Sequence, residues 1–231
     1  MKKLVALMLA LSLVLCSIPA LAAGKLSVQQ ENFHVIKDYR LYGYVYAKVS
    51  NVGDRPIKVN TGLLEIFNAD GDALTSTDSF SAYAKYLQPG EYTYMKLYDE
   101  IENAESSDVD DYMLTVTGKS SNDYISKRLP CVSAYEPDIK DGYYTRNYMY
   151  ATVTNDTDEP IYAINIVMAL LDAEGNILYI ASDNLYDSRA LMPGSSLMFR
   201  CDVDSDHIKY MQENGYVPVE VDAIAYVTVE R

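Results

Sequence analysis

The chain says one stretch twice. Tyr46-Ala-Lys-Val-Ser-Asn-Val-Gly-Asp-Arg-Pro-Ile57 and Tyr150-Ala-Thr-Val-Thr-Asn-Asp-Thr-Asp-Glu-Pro-Ile161 agree at seven of twelve positions, 104 residues apart. Each copy reads as an alternating strand, a polar turn, and a proline before a new apolar run. A chain built from two such copies must fold the same unit twice.

Around these stretches the other elements repeat in order. Ile36-Lys-Asp38 is echoed by Ile139-Lys-Asp141, and Tyr42 to Ser50 by Asn147 to Thr154. One phase of these strands is small or aliphatic: Val45, Ala47 and Val49, or Met149, Ala151 and Val153. The other phase carries Tyr44, Tyr46 and Lys48, or Tyr148, Tyr150 and Thr152. Period-two alternation marks a half-buried strand whose aliphatic phase faces the core. Asn, Asp and Pro then end it by favouring turns and withholding an amide.

The next strands span about Leu63 to Phe67 and Asn165 to Leu171. They run into Asn68-Ala-Asp-Gly71 and Asp172-Ala-Glu-Gly175, which read as hairpin connections with glycine at positive φ. Leu87-Gln-Pro-Gly90 matches Leu191-Met-Pro-Gly194, again 104 residues on, and Pro-Gly suits the centre of a type II turn. Closing strands are expected at Tyr112 to Thr117 and Val219 to Val229. The copies diverge between the last turn and the closing strand, where Ser205 to Gly215 reads as a short helix capped by Asp204 or Ser205. Short strands separated by turn signals predict an all-β chain of two tandem immunoglobulin-like β-sandwich domains. The boundaries expected are a signal peptide at 1–22, a first module at 23–118, a polar linker at 119–127 and a second module at 128–231.

Met1-Lys-Lys, the apolar run Leu4 to Leu15, the break at Pro19 and Ala20-Leu-Ala22 have the pattern of a cleaved secretory signal peptide. The run is short for a bilayer span. Cys16 raises a lipoprotein alternative, which Leu15 before it disfavours. The mature chain is therefore expected outside the cytoplasmic membrane, with no span after cleavage. Loss of Lys2 and Lys3 would take the net charge from −14 to −16, a balance that repels nucleic-acid backbones. Cys131 and Cys201 could then form a disulfide or stay as two buried thiols.

These motifs resemble the FxLYD-type modules and their immunoglobulin-like relatives in exported proteins of Gram-positive bacteria. The residues that carry the resemblance are Asn51, Ile57, Ile66, Phe67, Gly71 and Leu87 to Gly90. Their counterparts are Asn155, Ile161, Leu170 to Asp172, Gly175 and Leu191 to Gly194. Where that family's Leu-Tyr-Asp would stand, the copies read Ile66-Phe67-Asn68 and Leu170-Leu171-Asp172. The resemblance implies an extracytoplasmic module with no catalytic motif.

Chemistry-bearing patterns are few. His34 and His207 fall at non-equivalent places, and neither belongs to a nucleophile elbow, a zinc signature or a phosphate loop. No cofactor motif is present. Asp202, Asp204, Asp206 and Glu213 stand at positions 1, 3, 5 and 12 of a calcium-loop pattern, although His207 replaces its glycine. The strongest bias is tyrosine, 22 residues with no tryptophan. Tyr44, Tyr46, Tyr148 and Tyr150 lie on the phase opposite the core. They suit either a binding face or a contact between modules. The expected function is a non-enzymatic exported protein that contacts an envelope or extracellular protein, with glycan or calcium binding as the alternative.

Overall fold

The computed structural model describes residues 24–231. The expected signal segment, with Cys16, lies outside them. Among the described residues no helix is long and apolar enough to cross a membrane.

The chain is all-β with antiparallel sheets, as the alternation predicted. In the first copy the strands are β1 (Leu26–Lys37), β2 (Leu41–Asn51), β3 (Ile57–Phe67), β4 (Ala73–Thr77), β5 (Phe80–Ala82), β6 (Tyr86–Leu87), β7 (Tyr92–Glu100) and β8 (Asp111–Ser120). One sheet has the order β1-β2-β7-β5, and the facing sheet joins β3 to β4, β6 and β8. Val45, Ala47, Val49, Leu64, Ile66, Met95 and Leu97 fill the space between them. These include the aliphatic phase read from the sequence.

The second copy has β9 (Tyr124–Leu129), β10 (Cys131–Asp141), β11 (Tyr144–Thr154), β12 (Ile161–Tyr162), β13 (Asn165–Leu171), β14 (Ile177–Asn184), β15 (Ala190–Leu191), β16 (Ser196–Asp202), helix α1 (Ser205–Glu213) and β17 (Glu220–Glu230). Its sheets are β10-β11-β16 and β14-β13-β17-β9, with the small pair β12-β15 beside them. Pairing of β10, β11 and β16 reproduces that of β1, β2 and β7, and β13 with β14 and β17 reproduces β3 with β4 and β8. One strand of the first copy is two in the second, because Ala163 adopts φ +51° and interrupts the ladder.

Asn51 and Asn155 tie the two repeated motifs to each other. In the first copy the Asn51 amide donates to Glu91 O at 2.8 Å, and Gly90 N donates to Asn51 O at 2.9 Å. The second copy has Asn155 N to Ser195 O at 3.0 Å and Gly194 N to Asn155 O at 2.9 Å. The Pro-Gly turns close as expected, with Gly90 at φ +81° and Gly194 at +71°. An L side chain there would be strained.

The stretch 119–127, expected as a polar linker, is mostly strand. Residues 119 and 120 finish β8, and β9 pairs with β17 from Tyr124 opposite Glu230 to Leu129 opposite Ala225. Ser126 and Leu129 are buried there. Lys119, Ser120, Asn122, Asp123 and Lys127 are exposed, whereas Ser121 is buried along with Ser126, and Pro130 then turns the chain into the other sheet as β10.

Candidate interaction faces

The outer face of β1-β2-β7 carries tyrosine because neighbouring strands bring their non-core phases into register. Tyr44 lies opposite Tyr98, Tyr46 opposite Lys96 and Lys48 opposite Tyr94 on β7, while Asn32 and His34 lie opposite Tyr46 and Tyr44 on β1. Most of this face is shielded from solvent, although Tyr98 is 52% exposed. The face lies against β14, β17 and α1 of the second copy, so Tyr46 and Tyr94 belong to the apolar cluster of that copy.

The contact is polar at its tips and apolar in its body. The Tyr46 hydroxyl lies 2.7 Å from His207 Nε2. Tyr92 and Tyr94 hydroxyls both donate to Asp222 Oδ2, at 2.8 and 2.6 Å. Asn32 Nδ2 donates to Ile177 O at 2.9 Å and Gln30 Nε2 to Gly175 O at 2.7 Å. Between these bonds Tyr46 meets Tyr179 edge-on at 6.1 Å between ring centroids. Desolvation comes first among the causes that hold the phenols neutral, pushing Tyr44 and Tyr179 up to about 12 and Tyr46 well above its usual range. Of the two roles open to Tyr44 and Tyr46, the structure gives them the contact between copies.

The equivalent face of the second copy is open. Tyr148 and Tyr150 lie on β11 as Tyr44 and Tyr46 lie on β2, with Arg200 on β16 opposite Tyr150. Tyr148 is covered by its own neighbours: the Arg200 guanidinium lies 4.5 Å from its ring centroid, and its hydroxyl donates to Asp141 Oδ2 at 2.9 Å. Tyr150 is half-buried. Around it Val132 is 77% and Met198 59% exposed, and Ala134, Glu136 and Arg200 are exposed as well. Tyr150, three apolar side chains (Val132, Ala134 and Met198), an arginine and a glutamate thus share one uncovered sheet face, with Tyr148 covered beneath Arg200.

The calcium-loop spacing belongs to a capped helix instead. Asp204 accepts the Asp206 amide at 3.0 Å as the N-cap of α1, and Glu213 ends that helix beside Lys209. Nine helical residues place the two carboxylates about 13 Å apart along the axis. Asp202 turns to Arg146 at 2.8 Å. Among the described residues no cluster of three or more His, Cys, Asp or Glu side chains could hold a metal. The spacing failed as a guide because a helix starts at Ser205, where a calcium loop must still be turning.

Cys131 and Cys201 are free thiols. They lie on the strands flanking β11, opposite Val153 and Met149 respectively. Two strand spacings alone separate their backbones by about 9.5 Å, beyond the roughly 7 Å a disulfide can bridge. Burial raises both thiols, Cys201 to about 12. Iodoacetamide at pH 8 is therefore expected to leave Cys201 unmodified in the folded chain and to label it fully in urea, as read by peptide mapping. Rapid labelling of the folded chain would contradict this burial.

Sequence reasoning missed the depth of the histidines. His34 is 0% and His207 3% exposed. Tyr46 is the sole side-chain hydrogen-bond partner of either ring among the described residues, so neither is arranged with a nucleophile or carboxylate for catalysis. The chain matches no family model and no curated protein.

Proposed function

We propose that this chain is an exported, non-enzymatic protein of two immunoglobulin-like modules that contacts an envelope or extracellular protein through the β10-β11-β16 face of its second module. One observation carries the reading. The same face of the repeat is a protein contact surface in the first copy, and in the second it stands uncovered with Val132, Tyr150 and Met198 on it. A half-buried tyrosine and exposed apolar side chains beside an arginine have the composition of interaction hot spots. The resemblance to FxLYD-type modules and the signal-like N-terminus favour the same compartment.

The test uses Val132→Asp with Met198→Asp, which place charge on exposed apolar points and change stability by about 0.5 kcal/mol or less. Wild-type chain immobilised against solubilised envelope and medium proteins of the producing cell is expected to retain a partner that the double variant loses. An identical set of captured proteins for both chains, or none for either, would refute the assignment.

A further inference from the structure

We propose that the contact between the two copies is a pH-sensitive latch, closed while His34 and His207 are neutral and released when they take up protons. Both rings lie in the seam, one from each side. His34 projects from β1 of the first copy against Tyr210 of α1, 4.8 Å between centroids, and Tyr216 just beyond it at 5.8 Å. His207 projects from α1 of the second copy against Tyr44 at 4.6 Å, Tyr46 at 6.2 Å and Tyr179 at 4.8 Å. Three of the four ring nitrogens, both of His34 and Nδ1 of His207, have no hydrogen-bond partner among the described residues. Opening the seam would give all of them water.

Burial withholds from both rings the water that would solvate a charge. Facing His34 are the phenols of Tyr46 on β2 and of Tyr210 and Tyr216. Facing His207 are the phenols of Tyr44 and Tyr46 on β2 and Tyr179 on β14, and positive charge on Lys96 of β7 and on a protonated His34 repels a charge on it. The carboxylates at the start of α1, Asp204 and Asp206, make no hydrogen bond to either ring, and Asp204 is engaged as the helix cap. No anion of the seam is placed to receive an imidazolium. An unpaired buried donor is already costly when neutral and more so when charged.

The direction follows. Burial lowers His34 to about 4; burial first, then the charges of Lys96 and His34, lower His207 to about 3. In the open form both rings meet solvent near the ordinary 6.5. A base whose pKa is lowered in the closed form contributes its full share to closure above about 6.5 and loses it as pH falls towards 4 for His34 and 3 for His207. At pH 5 each histidine multiplies the open-to-closed ratio by about 30, and the two together by about a thousand.

Small-angle scattering between pH 7.5 and 4.5, with far-ultraviolet circular dichroism on the same samples, reads opening separately from loss of the sheets. The chain has two histidines, so carbon-detected imidazole resonances report each ring directly in the unaltered protein. The expected result is a reversible rise in radius below about pH 6 with the sheet signal retained and both rings protonating along with it. His34→Leu with His207→Gln, the glutamine amide replacing Nε2 as the hydrogen-bond partner of Tyr46, is expected to stay closed to pH 4.5. The latch is refuted if the rings protonate while the radius stays constant, if the radius is constant to pH 4.5 with the rings neutral, if the sheets are lost together with the opening, or if the double variant opens at the wild-type pH. Should that variant not fold, coincidence of ring titration and expansion in the wild type still decides.

Discussion

Tyr46→Ala is expected to lower unfolding stability by about 3–5 kcal/mol, the range for removing a large buried ring, while Tyr150→Ala at the repeat-equivalent position costs under about 1 kcal/mol. The two share strand, register and residue type, so the difference isolates what covers them. Tyr46 is 0% exposed, with Tyr44, Tyr179 and His34 about its ring and His207 at its hydroxyl. Removing it opens a cavity between two layers that are each held by their own ladders, so neither can collapse into the gap. Tyr150 loses contact with Tyr148 on a face already open to water. Tyr46→Phe separates the terms: it keeps the ring, takes the one partner from His207, and is expected to cost about 1–2 kcal/mol. Urea denaturation of the four chains measures all three differences. Equal losses at positions 46 and 150 would mean that the seam contributes nothing to stability.

Much of the fold was legible because alternation and turn chemistry are local. Val45, Ala47 and Val49 had to face inward, and Gly90 and Gly194 had to take positive φ, whatever lay beyond their sheets. The seam was not legible from Tyr44 and Tyr46, since alternation separates the two faces of a sheet without saying what meets the outer one. A signal for it did exist elsewhere. Ile57 to Phe67 is interrupted by Lys58, Asn60, Thr61 and Glu65, whereas Ile166 to Leu171 is apolar without a break. An uninterrupted run means a strand covered on both faces, and β13 is buried from Ile166 through Leu170. That contrast between equivalent strands could have placed the first copy over the second. Nothing comparable marked β9: its alternation is too short and too polar to distinguish an edge strand from a linker. The depth of the histidines was not legible either, because one imidazole gives no period from which burial can be read.

The second large effect falls on the asparagine of the repeat. Asn51→Ala is expected to cost about 2–4 kcal/mol, since each buried group left unpaired costs about 1–3 kcal/mol, and Asn155→Ala a similar amount. Both side chains are 0% exposed and clamp the same turn. Asn51 Nδ2 donates to Arg55 O at 2.8 Å and Leu87 O at 3.2 Å, while Oδ1 accepts Gly53 N at 3.0 Å. Asn155 Nδ2 donates to Glu159 O and Leu191 O, both at 2.8 Å, and Oδ1 accepts Thr157 N at 3.0 Å. Alanine leaves a buried carbonyl and an amide without partners in each case. Aspartate is the sharper test because it keeps the volume and the accepting oxygen and removes only the donor. An ionised carboxylate would then face two carbonyl oxygens in a site closed to water, so Asn51→Asp is expected to be at least as damaging at pH 7 as Asn51→Ala. Its penalty should shrink at lower pH as the carboxyl takes up a proton and can donate again. This runs opposite to the acid sensitivity of the histidine seam, so the comparison belongs in the His34→Leu, His207→Gln background. If Asn51→Asp keeps wild-type stability at pH 7, the amide is filling space there and the hydrogen bonds do not hold the turn.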